Sequence, residues 1–170
     1  MNLFNPLRVK NCALFALVTT IVVSFFVCGM QTGMIEFFPK AGLPHDPSTK
    51  IWFTLAQIIA LAFPILFVLF YGRALEIRNV FIPFLLLLGC QIFTEMVLFR
   101  HFFPSLIIPN ALVYIAYRLF QLWEGRKVLL QSRKISKLAV NLGLGLVYSN
   151  FILWVLIFFR LSLRLPKLFA

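Results

Sequence analysis

The sequence predicts an all-α, polytopic transmembrane helix bundle. Three observations predict it: an apolar composition, long uncharged runs, and positive charge confined to the segments between those runs. Hydrophobic residues make up 62% and charged residues 12% of the chain, where soluble proteins average near half and roughly a quarter. A soluble fold has to cover its apolar interior with polar groups, and this chain carries too few. A bilayer removes that requirement, and it also accommodates the 21 phenylalanines, whose rings cost nothing against acyl chains. At 170 residues the chain reads as a single integral membrane domain over 1–170.

Crossing ~30 Å of hydrocarbon takes about 20 apolar residues in a helix. The first expected span, 12–30, is uncharged for 19 residues. A cleaved signal peptide is its rival, with Arg8 and Lys10 as a basic leader and Val27-Cys28-Gly29 as a weak cleavage site. The length of the run and the bulk of Phe25 and Phe26 favour a retained span. The second span, 51–71, is uncharged for 21 residues and is interrupted by Pro64, which is expected to kink it. The third, 80–99, carries one charge, Glu95, and places Pro83 in its first turn, where proline is tolerated. The fourth, 105–123, starts with Pro109 near its first turn and brings Arg118 near enough to one end to snorkel. The fifth, 138–159, is uncharged for 22 residues. Four spans plus an interfacial helix are the alternative.

Charge arbitrates between the two. With five spans and the N-terminus inside, ten Lys and Arg lie on the inner side: Arg8, Lys10, Arg73, Arg78, Arg118, Arg126, Lys127, Arg133, Lys134 and Lys137. Six lie outside: Lys40, Lys50, Arg100, Arg160, Arg164 and Lys167. Four spans reverse the excess to seven inside and nine outside and put the most basic loop on the wrong face, so the positive-inside rule favours five. The net charge of +11 is accounted for by anionic lipid, and no soluble basic domain exists to bind nucleic acid. Arg126, Lys127, Arg133, Lys134 and Lys137, interleaved with Trp123, Leu129 and Leu130, are expected to contact lipid head groups.

Polar residues inside the spans carry most of the functional signal. Gln91 and Glu95 are one turn apart, so both project from one face that cannot comfortably meet lipid. Gln57 and Asn110 fall at similar depth in the outer half, with Arg100 and His101 at the rim, and Asn150 lies near the midplane. These residues are expected to converge on an outer-leaflet polar zone, either as interhelical glue or as a ligand pocket. Two small-xxx-small pairs, Ala56 with Ala60 and Gly145 with Ser149, predict close helix contacts.

Catalytic chemistry is not legible. There is no phosphate loop, paired-carboxylate motif or serine elbow, and two histidines with three cysteines match no metal spacing. His45 and Asp46 read as a solvated pair in a proline-rich loop. The stretch 89–95, Gly-Cys-Gln-Ile-Phe-Thr-Glu, followed by Pro104, Pro109 and Tyr117-Arg118-Leu119-Phe120, resembles a segment of small uncharacterised membrane proteins of plants and cyanobacteria. That resemblance implies a photosynthetic or bacterial inner membrane and no activity.

The reading is therefore a multi-pass, non-enzymatic accessory or assembly subunit with membrane-protein and anionic-lipid partners and no cofactor named by the sequence. The alternative is binding or transport of a lipid-like hydrophobic molecule through the outer-leaflet zone. A membrane enzyme using Glu95 and His101 ranks third.

Overall fold

The computed structural model describes residues 7–31, 51, 54–56, 58–95, 107–132 and 135–163. Five helices account for nearly all of them, and no strand occurs among the described residues. They are α1 (Val9–Gln31), α2 (Thr54–Tyr71), α3 (Leu75–Phe93), α4 (Ile107–Gln131) and α5 (Lys137–Ser162). Three of them, α2, α3 and α5, are long and apolar enough to cross a membrane, while Val9–Val23 within α1 is a shorter apolar stretch. α4 falls short in composition because Arg118, Glu124, Arg126 and Lys127 sit within it.

α4 is the hub, packing along both α3 and α5, with α2 against α3 and α5 and α1 against α3. α3 and α4 run antiparallel, as do α4 and α5. The start of α3 meets the far half of α4 at Val80 and Gly125, and the end of α4 meets the start of α5 at Leu129 and Gly143. Cys12, early in α1, meets Gln121, late in α4. One end of the bundle thus gathers Arg8, Lys10, Arg73, Arg78, Arg126, Lys127 and Lys137, nearly all exposed.

The close approaches fall at other glycines than those expected. A Cβ on Gly125 would stand 2.7 Å from Val80 Cγ1, and one on Gly143 would stand 3.3 Å from both Leu129 and Phe67. Gly145 has open space around it instead. The difference is one of phase: position 143 faces α2 and α4, and position 145, some 200° further round, faces away. Ala60 is fully buried, as its expected contact role requires.

One proline lies elsewhere in its helix than expected, and another leaves a backbone gap. α3 begins at Leu75, so Pro83 lies inside the helix and not in its first turn. In α2, π winding over Ile58–Ala62 precedes Pro64. In that winding the Ile59 carbonyl would look to residue 64 for its donor, and proline has none. Asn150 of α5 fills the gap, its Nδ2 donating to the Ile59 oxygen at 3.1 Å and to Leu146 O at 2.9 Å. Asn150 is therefore a structural amide that joins α5 to α2.

The basic stretch after Trp123 forms no separate surface helix, because α4 continues unbroken to Gln131 with Leu129 fully buried. The short connection to α5 ends at Ser136, whose Oγ accepts from Ala139 N at 3.3 Å and caps that helix.

Candidate functional site

The polar centre is built where α3, α4 and α5 meet. Gln91 and Glu95 share a face of α3, and the Gln91 Nε2 donates to Glu95 Oε1 at 2.6 Å. On its other side the Gln91 Oε1 accepts from Arg118 Nη2 of α4 at 2.6 Å. The neutral amide thus stands between a carboxyl and a guanidinium, oriented by both. The winding loosens to π at Thr94 and Glu95, and Thr94 Oγ1 turns back to donate to the Cys90 and Gln91 carbonyls at 3.0 and 2.9 Å. Asn110, on α4, faces the same Glu95 carboxyl, although its Nδ2 closes no hydrogen bond.

Arg118 corrects the expectation placed on it. It is the twelfth of the 25 residues of α4, roughly 17–20 Å from either end at 1.5 Å per residue, and it cannot snorkel. It is completely enclosed, at 0% exposure. Its Cζ lies 4.0 Å from the Trp154 ring centroid on α5 and 5.6 Å from that of Phe84 on α3. These faces stabilise a cation electrostatically, but they supply no acceptor for its N–H groups.

Arg118, Trp154, Tyr114 and Phe84 were not singled out from the sequence as members of this centre. One signal for the α4 residues was present. Asn110, Tyr114, Tyr117, Arg118 and Gln121 recur at three- and four-residue intervals, which puts a polar stripe on one face of α4. All five are buried. The far part of that stripe meets α1: Gln121 Nε2 donates to Cys12 Sγ at 3.0 Å, and Phe15 stacks on Tyr117 at 4.1 Å and meets Tyr114 edge-on at 5.5 Å.

Of the expected polar zone, Gln91, Glu95 and Asn110 come together, while Gln57, Arg100 and His101 lie outside the described residues. Of the expected head-group residues, Arg126 stacks on Trp123 at 4.5 Å. Lys127 pairs with Glu124 at 2.6 Å on the surface, Lys137 is exposed at the start of α5, and Arg133 and Lys134 lie outside the described residues. Among the described residues, no group of three or more His, Cys, Asp or Glu side chains could hold a metal ion.

A family model described as a domain of unknown function, DUF7733, matches residues 11–170, and the chain belongs to that family. No curated protein and no solved structure matches the chain.

Proposed function

We propose that this DUF7733 protein is a multi-pass membrane protein whose five helices cross the bilayer, and that it acts as a non-enzymatic accessory or assembly subunit of a membrane complex. One observation carries the reading: the interior polar groups join helix to helix. Gln91 reaches Arg118, Gln121 reaches Cys12, and Asn150 reaches the Ile59 carbonyl. Such bonds hold a bundle together at about 0.6 kcal/mol each and need no chemistry. The part left to interact is the outside. It presents apolar side chains such as Phe70 at 77% and Leu69 at 73% exposure, with Gly89 and Gly145 open to a close neighbour. The basic end fits the inner leaflet, with Arg126, Lys127 and Lys137 at head-group level beside Trp123.

Extraction of the tagged full chain in a mild detergent tests this. The expected result is a large species with a stoichiometric protein partner. A free monomer or homodimer carrying one enriched lipid overturns it.

That second outcome is the ligand-binding reading, in which a lipid-like molecule occupies the polar zone. A specific observation favours it as well: several buried polar atoms around Arg118 have no hydrogen-bond partner.

A further inference from the structure

Arg118 is a buried charge without a direct counter-charge. Among the described residues its guanidinium makes no ion pair, and its one hydrogen bond goes to the neutral Gln91 amide. Its Nε and Nη1 meet no acceptor. An enclosed guanidinium is ordinarily paired and hydrogen-bonded, because desolvation costs more than aromatic faces return. In the same polar centre two further donors, Trp154 Nε1 and Asn110 Nδ2, meet no acceptor, and neither does the Tyr114 hydroxyl, which can donate as well as accept.

An excess of donors about a positive charge selects an acceptor that carries negative charge. The nearest carboxyl of the chain, Glu95, supplies that charge only at one remove, through Gln91. Of Glu95, Gln91 and Arg118, Glu95 is also the least enclosed, on the loosened turn at the end of α3. The surroundings of the bundle are apolar, so an anion that arrives there needs an apolar carrier.

We propose that Arg118, with Trp154, Asn110 and Tyr114, forms a site for the oxyanion head of an amphiphile, either a carboxylate or a phosphate monoester, which displaces Glu95 as the counter-charge. The inference rests on the ligand-binding reading and names its ligand class. Glu95 then acts as a built-in competitor for the charge of Arg118.

The test uses the purified full chain in detergent micelles with three radiolabelled probes of one chain length: palmitate, hexadecyl phosphate and hexadecanol. The expected result is retention of at least one charged probe about tenfold above the alcohol, the scale of one charge-assisted hydrogen bond. Which of the two is preferred distinguishes the carboxylate from the phosphate. Arg118→Gln is expected to abolish the preference, and Glu95→Gln to increase retention of the charged probe by removing the competitor. If Arg118→Gln does not fold, Glu95→Gln decides alone, and unchanged or weaker retention overturns the proposal. Equal retention of all three probes overturns the oxyanion assignment and leaves a ligand pocket standing. Retention of none overturns the ligand-binding reading with it.

Discussion

Two regions of the bundle are held together by opposite means. At the basic end, α3, α4 and α5 approach through glycine: Gly125 lies under Val80, and Gly143 lies against Leu129 and Phe67. No charge takes part in those contacts. At the polar centre, about two turns along α4, the same helices are joined by a carboxyl, an amide and a guanidinium, with aromatic rings on either side. The first region is sensitive to size and indifferent to polarity. The second is sensitive to charge balance. Helices in lipid gain little from hiding apolar surface from one another, so close packing and polar contacts have to supply their specificity. This protein places the two at separate levels of one helix.

The sharpest way to break that contrast is at the charge. Glu95→Leu leaves Arg118 enclosed without compensation and is expected to destabilise the folded chain by ~3 kcal/mol. Adding Arg118→Met should recover most of the loss, since no unpaired charge then remains. Thermal unfolding in detergent measures both, and a double variant no more stable than the single one would show that the charges are not coupled.

A smaller effect belongs to the glycine level. Gly125→Ala presses a methyl into Val80 Cγ1, on a β-branched side chain that cannot rotate away, and is expected to cost about 1–3 kcal/mol. Val80→Ala in the same background should relieve the clash. Additive losses from the two substitutions would place the strain elsewhere.

Smaller again is Asn150→Leu, which strips the Ile59 carbonyl of its donor beside Pro64. The expected loss is about 1–2 kcal/mol, with faster amide exchange confined to the π-wound part of α2. Exchange that spreads evenly through α5 would argue against a local role.

The smallest effect on stability sharpens the functional side of the comparison. Gly89→Ala and Gly145→Ala meet nothing within 4 Å. Each should leave the isolated chain unchanged or raise its stability by up to about 1 kcal/mol through helix propensity. If the exterior serves a partner helix, the same changes are expected to reduce the yield of the co-purified complex. Full recovery of the complex from both variants would remove these positions from the interface.

Much of the helical layout was legible because uncharged runs and charge placement are one-dimensional signals. Helix ends moved by several residues, as at α3, which begins five residues before the expected span, with Glu76 and Arg78 on its exposed or partly exposed first turn. Gln91 and Glu95 were legible as a pair for a similar reason, since a four-residue spacing on a helix fixes a shared face. Arg118 was misplaced because the expected span ended at Trp123, five residues beyond it, and only the uninterrupted run of α4 to Gln131 shows how deep that charge lies.

The sequence by itself determined that the chain is helical and apolar, because composition and period require no knowledge of neighbours. Tertiary structure alone decided which glycine is a contact and which is a bare surface, since residues 143 and 145 differ only in the direction they face. It also decided that Asn150 mends a backbone gap in a helix some 90 residues away and that Arg118 meets an amide and two rings in place of water. The physical reason is common to all three. A side chain's role depends on what stands opposite it, and in a helix bundle the opposing group comes from a distant part of the chain.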